Sequence, residues 1–141
     1  MQPVAVRSVP TTDSEIKTYL RMRCPFNHMT VMFKKSVVLA AGNYISFHLM
    51  EDYYLWARLA ANGYKMANLP DIVLNARVDA ALYGRRGGWK YFKSNFAMSE
   101  KLRELNLISL RVHAFNACTR FCVQVLMPNS VRSYFYRKAL R

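Results

Sequence analysis

The sequence predicts an α/β fold on three observations. A run rich in strand formers, His28-Met29-Thr30-Val31-Met32-Phe33, feeds a short helix and then a polar loop. Two further strand-like pieces, residues 65–69 and 71–78, flank Pro70. Apolar residues recur at helical spacing from Tyr53 to Ala60 and again from Trp89 onward.

In chain order, residues 1–12 carry Pro3 and Pro10 and no helical period, so they read as an extended segment with turns. Asp13-Ser14-Glu15 can cap a helix running to about Met22, with Ile16, Tyr19 and Leu20 on its apolar face, and Pro25 bars any continuation. Lys34-Lys35-Ser36 starts a second helix, residues 36–41, that Gly42 closes. The next helix begins at Glu51-Asp52 and stops at Gly63. From Trp89 the pattern is helical again: Trp89, Phe92 and Phe96 share a face, Glu100 and Arg103 form an exposed pair, and Asn106 interrupts. Over residues 107–127, Ser109, His113, Asn116, Arg120 and Gln124 make a narrow polar stripe on an otherwise apolar helix, which predicts that most of its circumference is buried. After Pro128-Asn129 a basic, aromatic helix is expected over residues 131–138.

The 141 residues allow one domain with a modest core, and 52% hydrophobic content excludes a disordered chain. Net charge is +13 and unevenly placed. Residues 1–83 hold nine Lys or Arg against six acids, net +3, whereas residues 84–141 hold twelve against two, net +10. Anionic partners should therefore meet the C-terminal part. Three cysteines with no C-x-x-C pair argue against a disulfide framework and for a reducing compartment. The first ten residues lack a signal-peptide core, and no run of eighteen uncharged apolar residues exists, so the expected location is cytoplasmic, with room for peripheral contact on the inner face of a plasma membrane.

The chemistry concentrates at Glu51 and Asp52, two adjacent carboxylates in a first helical turn, where the dipole and orphan N–H groups favour negative charge. A simple helix-capping role describes such a pair equally well. A second cluster, Tyr83-Gly84-Arg85-Arg86-Gly87-Gly88, joins glycines that permit close backbone approach to arginine forks that suit phosphate oxygens.

Glu51-Asp52 followed by an aromatic residue, Trp56, Arg58-Leu59, Gly63-Tyr64-Lys65 and Asn68-Leu69-Pro70 resembles the acceptor-side half of inverting family 2 glycosyltransferases. Pro25-Phe26-Asn27-His28-Met29-Thr30, Lys35-Ser36 and Ala41-Gly42 extend that resemblance, which covers roughly residues 5–141. It implies a partial nucleotide-diphospho-sugar transferase (GT-A) fold: acceptor-side strands and helices over residues 1–88, then C-terminal basic amphipathic helices over residues 89–141. It implies that Asp52 is the general base, that Glu51 orients the site, and that Asn27, His28, Trp56 and Arg77 lie along the cleft with Arg85 and Arg86 at the leaving diphosphate. A lone histidine on a strand and an arginine at a strand end also have ordinary structural readings.

The expected partners are a nucleotide-diphospho-sugar donor, a saccharide or lipid-linked acceptor and an anionic membrane, with no nucleic acid. A divalent cation, Mg or Mn, is expected in the complete enzyme with its ligands mostly in the missing half, since the sequence has no Asp-x-Asp, no G-x-G-x-x-G and no P-loop. The nucleotide-binding half of the family domain is absent, so the chain alone should not turn over. The competing class is a basic, non-catalytic module for membrane or nucleic acid, which leaves Glu51-Asp52 without a role; a third is a partner chain completing a separate donor-binding subunit.

Overall fold

Three helices of this protein end in the same way, on one residue in the left-handed region whose N–H reaches back into the last turn. A computed structural model describes residues 6–76, 87–128 and 131. Its helices are α1 (Asp13–Leu20), α2 (Lys35–Ala40), α3 (Glu51–Ala61), α4 (Gly88–Glu104) and α5 (Leu110–Phe121), the last running into a π turn, Cys122–Leu126. Gly42 (φ 84°) ends α2, Gly63 (φ 78°) ends α3 and Asn106 (φ 57°) ends α4. Each time, the N–H of the next residue bonds a carbonyl five positions back: Asn43 to Val38 (2.9 Å), Tyr64 to Leu59 (3.1 Å) and Leu107 to Leu102 (2.9 Å). These stops are local chemistry and match the sequence.

Helix α1 starts one residue earlier than the expected cap. Thr12 is its N-cap, and the Glu15 carboxylate accepts from the Thr12 hydroxyl at 2.7 Å and its N–H at 3.3 Å. Asp13 instead serves the tertiary structure, accepting from Lys17 Nζ at 2.7 Å and from the Met66 N–H at 2.9 Å.

Helix α3 is the centre of the core. Tyr53, Leu55, Trp56, Ala57, Leu59 and Ala60 are buried among Leu20 of α1, Val38 of α2, Met98 and Leu102 of α4, and Ile108. Arg58 is buried too, because its guanidinium donates to the Ala41 and Asn43 carbonyls and lies 4.8 Å from the Tyr54 ring centre. It staples the turn after α2 onto α3.

Several expectations are corrected. No strand forms among the described residues. The 28–33 run opens with a 3₁₀ turn, His28–Thr30, because the Asn27 carbonyl captures both the Thr30 N–H and its hydroxyl, each at 3.0 Å. The 65–69 piece lies against the start of α1: Asn68 N–H bonds the Thr11 carbonyl at 3.2 Å, and its side chain donates to the Pro10 and Pro25 carbonyls at 2.7 and 3.2 Å. Ile72, Val73 and Leu74 are exposed and make no ladder among the described residues, and the end of the expected 71–78 strand, residues 77 and 78, lies outside them. The ion pair on α4 joins Lys101 to Glu104 at 2.7 Å, rather than Glu100 to Arg103.

The largest correction concerns α5. Its polar stripe faces inward: His113 Nδ1 meets Ser99 Oγ at 2.9 Å, Asn116 donates to the Arg21 carbonyl at 3.0 Å, Arg120 donates to Asn95 and to the Met22 carbonyl, and Gln124 is buried. Leu110, Phe115 and Leu126, on the other side, are exposed. The buried Asn95 and Ser99 side chains of α4 and the carbonyls of Arg21 and Met22 just past α1 take partners from this stripe, and pairing them outweighs the ordinary preference for an apolar inward face. The π turn begins at Cys122, where the Met127 N–H bonds the Cys122 carbonyl at 3.0 Å, so the expected helix over residues 107–127 is regular only to Phe121. The expected helix over residues 131–138 lies outside the described residues except for Val131.

Candidate active site

The acid pair occupies the first turn of α3, as expected. Met50 stands at the N-cap position and offers no side-chain acceptor, so the N-terminal N–H groups rely on other partners. One is satisfied by Asp52, whose Oδ1 accepts from the Tyr53 N–H at 2.7 Å. Asp52 thus performs the capping work and still has Oδ2, which accepts from none of the described residues. Glu51 is exposed and Asp52 half-buried.

The approach to the pair is a tight turn in which the Met50 N–H bonds the Phe47 carbonyl at 2.8 Å and Leu49 adopts φ +63°. A branched, bulky residue rarely adopts that conformation, and Leu49 is 52% exposed, so no burial of its own side chain compensates the strain. This turn holds the carboxylates at the head of the helix.

One turn along α3 from Asp52, Trp56 meets a cluster of rings. Tyr44 and His28 meet edge to face, with centroids 5.7 Å apart and planes at 82°. His28 and Phe33 lie 6.4 and 6.2 Å from the Trp56 centroid, and Phe26 meets the same indole edge to face at 5.4 Å. His28, Phe33 and Tyr44 are exposed, whereas Trp56 is 2% exposed and forms the floor. Its indole N–H is buried and finds no acceptor among the described residues. Partial burial and the Asp52 carboxylate together hold the Tyr44 phenol above its ordinary range. On the other flank, burial first and the Asp52 charge second push the Cys24 thiol up to about 11. Asp52 therefore lies within electrostatic reach of both Tyr44 and Cys24.

Asn27 is held rather than free, since its Oδ1 accepts from Arg7, which also donates to the Cys24 carbonyl at 2.7 Å. The fold thus sets His28, the neighbour of Asn27, against Trp56, which lies one turn along α3 from Asp52. Arg77, Arg85 and Arg86 lie outside the described residues. Sequence reasoning missed Tyr44 and Arg7. Tyr44 could have been found as the aromatic residue next to the Gly42 stop; Arg7, in a segment without periodicity, gave no signal.

Among the described residues no three His, Cys, Asp or Glu side chains converge on a point, so these residues do not compose a donor set for a divalent cation. No described helix is long and apolar enough to cross a membrane. The arrangement offers one carboxylate oxygen beside a partly exposed aromatic surface. That suits taking a proton from a hydroxyl group.

No family model matches the sequence, and no solved structure matches it. Curated proteins do. Over 138 residues, 98% of this chain, it is 41% identical to an uncharacterized glycosyltransferase of Haemophilus influenzae, covering 51% of that protein. It is 34% identical to the amylovoran biosynthesis glycosyltransferase AmsE of Erwinia amylovora, over 94% of this chain and 50% of that protein. It is 36% identical to the UDP-Gal:alpha-D-GlcNAc-diphosphoundecaprenol beta-1,3-galactosyltransferase of Escherichia coli, over 96% and 49% respectively. The chain spans about half the length of the curated relatives it matches.

Proposed function

We propose that this chain is the acceptor-side half of an inverting, family 2-type glycosyltransferase of surface polysaccharide assembly, transferring a sugar from a nucleotide-diphospho-sugar donor to a saccharide or lipid-linked acceptor. The observation that carries the reading is Asp52, whose Oδ1 is engaged by its own helix, whose Oδ2 accepts from none of the described residues and whose charge reaches the exposed Tyr44 phenol, in a chain that matches glycosyltransferases over most of its length.

In this reading Asp52 takes the proton of an acceptor hydroxyl as that oxygen attacks the anomeric carbon. The bond from that carbon to the donor diphosphate breaks with its electron pair leaving on the phosphate oxygen, and the anomeric configuration inverts. A carboxylate suffices, because the hydroxyl becomes acidic only as the new bond forms. Glu51, exposed on the same turn, orients the acceptor, with Asn27 and His28 lining the cleft and Trp56 supporting them from beneath. Arg77 belongs at the cleft edge, and Arg85 and Arg86 neutralise the leaving diphosphate. The divalent cation of such an enzyme would stabilise charge on that diphosphate; its ligands belong to the other half, and no step here passes through it. The 72–76 segment, which lies in no helix and makes no ladder among the described residues, fits a strand of a nucleotide-diphospho-sugar transferase (GT-A) sheet completed by that half. The printed name of the E. coli relative specifies a diphosphoundecaprenol-linked acceptor, which supports a lipid-linked acceptor here.

The test is a chimera in which this chain replaces the matching half of the E. coli relative. Given UDP-galactose, whose sugar is α-linked, and a GlcNAc-diphosphate-lipid acceptor, the chimera should form a β linkage. An α-linked product would refute inversion, and a folded chimera that releases free galactose but never glycosylates the acceptor would refute the acceptor-side assignment.

A further inference from the structure

The outward face of α5 has no counterpart in the transfer chemistry. Residues at positions 110, 114, 118, 122 and 126 recur every four, and Phe115 lies beside them. Leu110 is 67% exposed, Phe115 58% and Leu126 63%, and Ala114, Cys118 and Cys122 are exposed between them. An apolar stripe about four turns long on the outside of a folded protein exceeds the scattered exposure expected of a monomer. It arises because the polar side of the same helix is committed to Ser99, Asn95 and the α1 carbonyls.

The charges around the stripe identify its occupant. Among the described residues from Leu105 to Pro128 there is no Asp or Glu. Arg111 is exposed near the start of the stripe. Near its end, exposed Trp89 meets Phe121 edge to face at 6.3 Å, and Lys93 lies 5.8 Å from the centre of the same indole, with exposed Lys90 beside it. Glu100 and Glu104, the acids of α4, are on the neighbouring helix, and Glu104 is already paired with Lys101. An apolar stripe bordered by a tryptophan and by cations that make no ion pair among the described residues matches a headgroup interface, where the apolar side chains enter the acyl boundary while cations remain at anionic phosphate.

We infer that α5 and its π turn lie on an anionic membrane surface through Leu110, Phe115, Cys118, Cys122 and Leu126, with Arg111, Lys90 and Lys93 at the headgroups. This names the membrane partner of the glycosyltransferase reading but does not depend on catalysis, since binding alone is measured. Each cation near an anionic bilayer strengthens partitioning by about fivefold, and the effect falls within a Debye length, so binding should weaken with salt.

The test is flotation of the 141-residue chain with vesicles of phosphatidylglycerol and phosphatidylcholine, or of phosphatidylcholine alone, at low and high sodium chloride. The chain should float with the anionic vesicles at low salt, at least about tenfold less at high salt, and less with neutral vesicles. Trp89 emission should shift to the blue on binding if Trp56, the only other tryptophan, is replaced by Phe. Phe115→Glu, at an exposed position, should keep the helical circular dichroism and lose most flotation. Met32→Glu, at an exposed position remote in sequence from the stripe, should float like the parent. Equal flotation of Phe115→Glu and the parent overturns the assignment, as does equal loss in Met32→Glu. Stripping of the chain from vesicles by the unmatched half of the H. influenzae relative, supplied as a separate polypeptide, would show that protein covers the stripe and would also overturn it.

Discussion

The Tyr53 hydroxyl donates to the Leu20 carbonyl, 33 residues earlier, so the helix that carries the acid pair is anchored to the end of α1. The next two carbonyls are capped as well, Arg21 by Asn116 and Met22 by Arg120. Three successive carbonyls that a helix end leaves unsatisfied thus receive donors from α3 and α5. Burial pushes the Tyr53 phenol far above its ordinary value, against a smaller opposing effect of the Arg120 charge, which keeps the hydroxyl a donor at any working pH.

Removing that donor leaves a buried acceptor unpaired. Tyr53→Phe should lower unfolding free energy by about 1–2 kcal/mol in urea titrations with little change in slope. A loss below about 0.3 kcal/mol would mean that the carbonyl finds another donor.

Arg58 and Gly42 form one joint, since a Cβ at Gly42 would approach Arg58 Nη1 to 3.1 Å at φ +84°. Gly42→Ala should therefore cost about 1 kcal/mol or more, against the gain of a few tenths that such a change gives where the backbone permits it. Arg58→Met should cost more, because two carbonyls lose their donor. Thermal unfolding of both variants checks this, and an unchanged midpoint for Arg58→Met would dismiss the staple.

Asp52→Asn retains an oxygen that can accept from the Tyr53 N–H but removes the base. In the chimeric enzyme kcat should fall by about 10²–10⁴-fold with the melting temperature nearly unchanged. Normal turnover with a lowered melting temperature would leave Asp52 as a helix-stabilising residue alone.

Acid should loosen the α1 junction. The hydrogen bond from Lys17, followed by the Met66 N–H and the Lys17 and Lys65 charges, outweighs burial and lowers the Asp13 pKa, while the Thr12 hydroxyl and N–H lower that of Glu15. Their folded values lie below the unfolded ones, so the stabilisation is complete above the unfolded carboxylate range and is lost as pH falls through the folded values. Melting temperatures measured downward from about pH 5 should fall, and less steeply in Asp13→Asn with Glu15→Gln. Parallel curves would place the acid sensitivity elsewhere.

The cysteines should react in two classes. Cys118 and Cys122 are exposed, whereas the Cys24 thiol, raised to about 11, remains protonated at pH 8. An aromatic disulfide reagent at pH 8 should label two thiols quickly and the third only on unfolding. Rapid modification of all three would show that the Cys24 pocket opens.

By itself the sequence determined what depends on neighbours within one turn: the stops at Gly42, Gly63 and Asn106, the acid pair in the first turn of α3, and the concentration of positive charge toward the C-terminus. A left-handed residue ends a helix wherever that helix packs, and a first-turn carboxylate meets the same orphan N–H groups in any fold. Tertiary structure decided directions and partners. The period of α5 revealed two unlike faces, but nothing local said that the α1 carbonyls would draw Asn116 and Arg120 inward and leave Phe115 outside. The strand formers of 28–33 and 72–74 specify extended backbone only when an edge lies beside them; among the described residues Asn27 turns the first back on itself, and the second has no edge to join. Likewise Tyr44 comes to flank Asp52 through Arg58, a buried cation that binds the turn before it to α3. Long-range hydrogen bonding to Asn116, Arg120 and Arg58 oriented α5 and placed Tyr44, because leaving a polar group without a partner costs more than exposing a leucine, whereas the 28–33 run was decided by a local bond and the 72–74 run by the want of an edge.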